Sequence, residues 1–140
     1  MKKKCYKDLK ILGICAGQGA LLFPWRKQLL GNIEPRAVFH TQKEEQWRLN
    51  FGEIPFLRNE LPEKWHPDII LSSPDCGASS TMRLSKAKEL GNPEKNKSIQ
   101  LVIEGIMQYQ PKVFMIENVP RLMNLMPEKI WQEALPNYNI

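Results

Sequence analysis

The chain has 140 residues, which suits one domain with a buried core, and its net charge of +5 suits a polyanionic partner without requiring one. Its cysteines, Cys5, Cys15 and Cys76, are odd in number and scattered, which argues against a disulfide framework, and no Cys-x-x-Cys or His-rich spacing indicates a metal. No apolar run approaches the ~18 residues of a membrane span, so we expect a cytoplasmic protein with neither a membrane segment nor a metal.

Strands and helices alternate along the chain. In chain order the patterns predict a strand over 10–15, a glycine turn over 16–20, a helix over 21–30, a strand over 36–40, a helix over 43–50 that Gly52 ends, and a proline-rich connection over 53–67 with room for a short strand. They continue with a strand over 68–71, a polar loop over 73–97, a helix over 98–110 with Ser98 as its N-cap, a strand over 113–116, a helix over 128–135 and the start of a strand over 138–140. This alternation predicts an α/β fold with a doubly wound, mostly parallel sheet. The loop from about residue 77 to 97 is unusually long for a compact domain, so we expect it to be mobile.

A glycine turn follows the first predicted strand. Gly17 and Gly19 let the backbone approach a ligand, and the start of the next helix favours negative groups. A dinucleotide-binding fingerprint would need a third glycine near Leu22 and an acid after the next strand, and neither is present. The turn therefore indicates either a different nucleotide-like ligand or a purely structural bend.

Two later strands end on groups that can carry chemistry. Ser72-Ser73-Pro74-Asp75-Cys76 follows one of them, and Glu117-Asn118-Val119 ends the other. Taken singly, a cysteine is more often a small buried hydrophobe, and an exposed Glu-Asn is an ordinary turn. Because parallel strands end at the same edge of a sheet, however, we expect the thiol and the carboxyl to face one cleft.

The glycine turn, the Pro-Asp-Cys loop and Glu-Asn-Val, in this order, resemble the cytosine-C5 DNA methyltransferase family. Asn50-Phe51-Gly52 is also similar to that family's Asn-Phe-Gly segment. The resemblance implies a Rossmann-like fold of the S-adenosylmethionine-dependent type and methyl transfer to cytosine C5 in DNA. It implies that Cys76 is the nucleophile, that Glu117 is the acid, and that Asn118 holds the loop around the acid.

The resemblance also implies a set of binding residues. S-adenosylmethionine would be bound by Cys15, Ala16, Gly17, Gln18, Gly19 and Pro74, and DNA by Ser80, Arg83, Lys95 and Lys97. The chain departs from the usual family pattern in three ways. It has Pro-Asp-Cys-Gly where Pro-Pro-Cys-Gln or Phe-Pro-Cys-Gln is usual, Cys15 replaces an aromatic residue, and the acids that bind the ribose and adenine are not evident.

Family members continue beyond this length into an arginine-bearing strand, a target-recognition domain and a closing segment. We therefore expect residues 1–140 to form one partial catalytic domain of a restriction-modification type enzyme, either as a fragment or as one subunit of a split enzyme in which a second polypeptide supplies target recognition. The alternative is an inactive remnant or a regulatory subunit with the same fold that binds cofactor or DNA. A methyltransferase acting on an exocyclic amine would want Ser-Pro-Pro-Tyr or Asp-Pro-Pro-Tyr in the loop, and Cys76 counts against it.

Overall fold

The computed structural model of the protein describes residues 9–15, 21, 33–39, 44–52, 56–58, 61, 63–75 and 96–140. The predicted glycine turn, all but the first residue of the helix over 21–30, and almost all of the long polar loop lie outside the described residues. No helix of the described part is long and apolar enough to cross a membrane.

Five parallel strands form the sheet. They are β1 (Leu9–Ile14), β2 (Ile33–Phe39), β3 (Phe56–Arg58), β4 (Ile69–Ser72) and β5 (Val113–Ile116), in the order β3-β2-β1-β4-β5. The order runs outward from β1 to β3 and then reverses, because β4 pairs with the other side of β1. This reversal defines a doubly wound, Rossmann-like α/β fold, and the predicted fold class is confirmed.

Four described helices accompany the sheet: α1 (Glu44–Phe51), α2 (Lys97–Tyr109), α3 (Arg121–Leu125) and α4 (Glu128–Ala134). Gly52 ends α1 as predicted, with a left-handed φ of 59° and a hydrogen bond from its N–H to Arg48 O at 2.8 Å. Short helix α3 was absent from the sequence-based prediction. The predicted strand over 138–140 is wrong, because these residues are neither strand nor helix.

The N-cap of α2 is Asn96, so the prediction of Ser98 is wrong. Asn96 has extended backbone, with φ −101° and ψ 91°, and its Oδ1 accepts hydrogen bonds from the N–H groups of Ser98 and Ile99, both at 3.2 Å. Both asparagine and serine cap helices well. Asn96 is the cap here because its side chain binds the N–H groups of Ser98 and Ile99, which have no partner within the helix.

The core lies between β1, β4 and the apolar face of α2. Ile14 and Ile70 contribute from the strands, and Val102 and Ile106 from the helix, and all four are fully buried. Gly105 lies on the same helix face, where an added Cβ would collide with Ile14 Cδ1. The close approach of α2 to β1 brings the first turn of the helix towards the carboxyl edge of the sheet, where the predicted site lies.

Candidate active site at the carboxyl edge of the sheet

The backbone ladder between β4 and β5 continues one residue beyond the strands. Ser72 is in register with Ile116, and the next N–H, that of Glu117, donates to Ser72 O at 2.7 Å. Ser73 and Glu117 therefore leave the sheet side by side, and Ser73 Oγ donates to Glu117 Oε2 at 2.7 Å. Glu117 is exposed, so its carboxyl group is held at the surface by one hydroxyl and can still meet a ligand.

Asn118 joins the two loops that follow these strands. Its Nδ2 donates to Pro74 O at 2.8 Å, and its Oδ1 accepts from the N–H of Val119 at 2.9 Å. Each end of the amide is thus used, one in its own loop and one in the loop that carries Pro74-Asp75. Pro74 itself is buried. An amide that spans both loops fixes the distance between them.

The first turn of α2 holds the next residue of that loop. Asp75 N–H donates to Ser98 Oγ at 3.0 Å, and Ser98 Oγ donates to Asn96 Oδ1 at 2.8 Å. The loop after β4 is therefore bound on two sides, by Asn118 at Pro74 and by Ser98 at Asp75. In the sequence, Cys76 comes directly after this twice-bound segment.

The end of β1 lies beside the same helix. Cys15 follows β1 with a left-handed φ of 53°, is buried, and its Sγ lies 3.9 Å from Ser98 O. The strand order reverses between β1 and β4, and ligands of open α/β sheets bind where their order reverses. Ser72, at the end of β4, is fully buried, and its Oγ has no hydrogen-bond partner among the described residues. That orphaned hydroxyl marks a polar position at this point of the sheet.

The described part contains five of the residues that the sequence nominated. Glu117, Asn118, Cys15 and Pro74 lie at the carboxyl edge, whereas Lys97 is exposed as the first residue of α2 rather than part of a loop. The remaining nominated residues lie outside the described residues: Cys76, Ala16, Gly17, Gln18, Gly19, Ser80, Arg83 and Lys95.

Two residues at this edge were not nominated as site residues in the sequence analysis, although Ser98 was predicted as a helix cap. Ser73 binds the carboxyl of Glu117, and Ser98 binds the backbone of Asp75. Ser73 could have been found, because residues directly after two paired parallel strands lie side by side. The hydrogen bond between Ser98 and Asp75 joins residues 23 positions apart, so no local sequence pattern predicts it.

The titratable groups with shifted pKa values lie away from this edge. Asp68, just before β4, accepts from Lys112 Nζ at 2.6 Å and from Lys10 N–H at 3.1 Å. These hydrogen bonds, that from Lys112 first, hold the pKa of Asp68 below its usual value. Burial raises the pKa of Tyr109, at the end of α2, to about 12. Among the described residues, no three His, Cys, Asp or Glu side chains are grouped so as to hold a metal ion.

The parallel sheet, its order and the linked loops at its carboxyl edge define a doubly wound α/β domain with a candidate site at that edge. The pattern of the C-5 cytosine-specific DNA methylase family matches residues 31–139, and the chain belongs to that family.

Two individual proteins extend the comparison. The Type II methyltransferase M.Bpa9945I of Bacillus paralicheniformis is 29% identical over 73 residues, which are 51% of this chain and 16% of that protein. The structure of the Entamoeba histolytica methyltransferase EhMeth superposes with a TM-score of 0.59 at 15% identity, over 92% of this chain and 42% of that one. The second likeness concerns the fold alone. The chain thus corresponds to less than half the length of either relative.

Proposed function

We propose that this chain is the catalytic half of a DNA cytosine-C5 methyltransferase, with Cys76 as nucleophile and Glu117 as acid. The observation that carries the proposal is the linkage of the two loops at the carboxyl edge. Asn118 binds Pro74 O and Ser73 binds the Glu117 carboxyl, so the segment leading into Cys76 lies beside the candidate acid. Family membership supplies the reaction for which such a pair is suited.

The two groups would assist the reaction in different ways: Cys76 would add to the cytosine ring, and Glu117 would stabilise the charge that results. Cytosine C5 is a poor nucleophile, so the Cys76 thiolate adds to C6, which leaves a C6–S bond and electron density that reaches C5. The Glu117 carboxyl, hydrogen-bonded to N3, stabilises the charge that develops on the ring. Once C5 carries the methyl group, loss of its proton and expulsion of the thiolate restore the aromatic ring and the free enzyme.

Ser73 and Asn118 have supporting roles in this proposal. The Ser73 hydroxyl orients one oxygen of Glu117 and leaves the other oxygen available to the base. Asn118 keeps the acid-bearing loop at a constant distance from the loop that leads to the nucleophile. A thiol and an acid that act on one ring need such a constant separation, because reacting atoms must come within roughly 3–3.5 Å of each other.

S-adenosylmethionine is the proposed methyl donor, and the described residues fit a ligand at the reversal point. Cys15 turns the chain there with a left-handed backbone, and the orphaned Ser72 hydroxyl lies at the end of the neighbouring strand. Cys15, Pro74 and the glycine turn (Ala16, Gly17, Gln18 and Gly19) would hold it. The cofactor supplies an electrophilic methyl group on a sulfonium centre.

DNA is the proposed substrate, bound through charge rather than sequence. Ser80, Arg83, Lys95 and Lys97 would contact phosphates, and the basic loop over residues 77–97 would close over a base taken out of the duplex. Of these residues, Lys97 is described, and it is exposed on the first turn of α2, beside Ser98. We expect weak, salt-sensitive binding to DNA of any sequence.

The chain corresponds to less than half of its relatives' length, so the proposed enzyme also needs a target-recognition part, on the same polypeptide or on a second one. The alternative is an inactive remnant or a regulatory subunit that keeps the fold. Methyl transfer from labelled S-adenosylmethionine to DNA, followed as 5-methylcytosine, separates the two. The chain alone should transfer little, and adding a recognition half in trans should restore transfer.

Cysteine variants make the assay specific. In the reconstituted enzyme, Cys76→Ser should abolish transfer, while the matched control Cys5→Ser should leave it unchanged. Transfer that survives Cys76→Ser would show that the wrong nucleophile has been named. Absence of both transfer and a covalent adduct with DNA containing 5-fluorocytosine, with the recognition half present, would favour the inactive alternative.

A further inference from the structure

Ser98 lies where three segments of the chain meet. Its side chain is 2% exposed. Its Oγ accepts from Asp75 N–H at 3.0 Å and donates to Asn96 Oδ1 at 2.8 Å, while its carbonyl oxygen lies 3.9 Å from Cys15 Sγ. The loop after β4, the start of α2 and the residue after β1 are therefore in contact through one serine.

Capping of α2 does not account for the Ser98 hydroxyl. Asn96 Oδ1 already accepts the N–H groups of Ser98 and Ile99, which are the groups that an N-cap serves. The hydroxyl of Ser98 instead uses its proton on Asn96 and its lone pair on Asp75 N–H. Through these two hydrogen bonds, Ser98 connects the cap residue Asn96 to the backbone of the loop after β4.

The identity of residue 75 makes this contact possible. Where the resembling family usually has Pro-Pro-Cys, the residue before the cysteine has no N–H to donate. Here Asp75 supplies that N–H, and Ser98 accepts it. The residue that replaces proline before the cysteine and the buried Ser98 are therefore the two partners of one hydrogen bond.

We propose that Ser98 is a positioning residue that fixes the backbone of Asp75 and, through it, the thiol of Cys76. The inference rests on the proposed function only in naming Cys76 as the nucleophile. Asp75 is bound to the first turn of α2, and consecutive Cα atoms are ~3.8 Å apart, so the covalent chain limits how far the Cys76 backbone can lie from that turn. The amino end of a helix favours the thiolate over the thiol. Ser98 thereby sets both the place and the reactivity of the nucleophile.

The test measures alkylation of Cys76 by iodoacetamide as a function of pH, in the free chain and without DNA or cofactor. Peptide mass spectrometry separates Cys76 from Cys5 and Cys15. Ser98→Ala should move the midpoint of the Cys76 profile to higher pH by about half a unit to one unit. Ser98→Thr, which keeps the hydroxyl, should restore the original midpoint. Tyr138→Phe is the matched control, because it removes a hydroxyl that donates to Pro111 O at 2.8 Å before β5, at the opposite end of the strand.

A second variant removes the same hydrogen bond from the other side. Asp75→Pro deletes the N–H and also the Asp75 carboxylate, so it is compared with Asp75→Ala, which loses the carboxylate but keeps the N–H. Relative to Asp75→Ala, Asp75→Pro should shift the profile to higher pH, as Ser98→Ala does relative to wild type. Because Ser98→Ala and Asp75→Pro remove the same hydrogen bond, adding Ser98→Ala to Asp75→Pro should shift the profile no further. If Ser98→Ala does not fold, the comparison of Asp75→Pro with Asp75→Ala decides the question alone.

A Cys76 profile that stays at the wild-type midpoint in folded Ser98→Ala, and at the Asp75→Ala midpoint in Asp75→Pro, would overturn the proposal and leave Ser98 as part of the helix start. In the reconstituted enzyme, Ser98→Ala should lower kcat about tenfold with KM for DNA unchanged. If the enzyme proves inactive, the proposed function fails, but the alkylation profile still decides the role of Ser98.

Discussion

An alanine at position 105 tests how closely helix α2 approaches strand β1. The added Cβ would collide with Ile14 Cδ1 and would lie 3.5 Å from Leu61 Cδ2. Replacing a helical glycine with alanine ordinarily gains ~1 kcal/mol. Forcing a methyl group into a filled core ordinarily costs ~1–3 kcal/mol, and Ile14 is fully buried, so its end has little room to move. We expect Gly105→Ala to lower the free energy of unfolding by about 1 kcal/mol.

A second substitution removes the colliding atom. Ile14→Val deletes Cδ1 and should by itself cost ~0.5–1.5 kcal/mol. In the double variant the alanine methyl group occupies the vacated space, so the helix propensity is gained without the collision. The double variant should unfold within about 0.5 kcal/mol of the wild type, which corresponds to a favourable coupling of about 1–3 kcal/mol. Urea unfolding followed by circular dichroism and tryptophan fluorescence measures all four proteins.

The matched control uses an exposed position of the same helix. Gln108→Ala combined with Ile14→Val should give effects that add within ~0.5 kcal/mol, since Gln108 is exposed and an alanine there adds no atom to the core. Additive effects of Gly105→Ala and Ile14→Val would refute the reasoning, because they would mean that the two side chains do not share one space.

Three further predictions concern the free energy of unfolding. Asp68→Asn should destabilise the protein at pH 7. Because the folded-state pKa of Asp68 is lowered, the difference in the free energy of unfolding between variant and wild type should shrink as pH falls below the unfolded pKa of ~3.9. Urea midpoints from pH 7 to 3 measure this difference, and an equal difference at pH 3 would contradict the cause. Tyr109→Phe should lose less stability than wild type as pH rises from about 10 to 12, because burial raises the folded-state pKa of Tyr109 to about 12; alkaline unfolding curves that remain parallel would argue against it. Asn96→Ala should cost ~1–2 kcal/mol and Asn96→Asp much less, since Asp keeps the cap acceptor; similar urea midpoints for both variants would show that the cap contributes little.

The elements that the sequence predicted best are those with strong apolar patterns. The strand over Val113–Ile116 was predicted to the residue, and helix α2 to within one residue at each end. The sequence patterns failed where contacts between distant parts of the chain determine the local structure. No partner strand lies beside the last residues in the described part; instead the ring of Tyr138 packs edge-on against Phe114, with 4.9 Å between ring centroids. Helix α3 has five residues, too few for a helical period to show.

The candidate site was predictable in outline and not in detail. The parallel-sheet rule was sufficient to predict that Pro74 and Glu117 come to one edge, because it needs only the direction of the strands. The hydrogen bonds that join the loops depend on the register of Ser72 with Ile116, and an apolar strand of four residues does not encode its register. Sequence reasoning therefore nominated Glu117 and Asn118, which lie at this edge, but assigned no role to the hydroxyl of Ser73.

The two chemical groups of the proposed site are held by separate contacts. The described side-chain hydrogen bond to the Glu117 carboxyl comes from Ser73, whereas the backbone before Cys76 is bound by Asn118 at Pro74 O and by Ser98 at Asp75 N–H. The proposed acid, Glu117, is exposed and has one such described bond, so its carboxyl group has room to adjust to a ligand. The segment before the thiol is bound to two different elements, which restricts its movement. A nucleophile must be aligned to a fraction of an ångström, whereas a hydrogen-bonding acid tolerates more variation, and the contacts at this edge follow that difference.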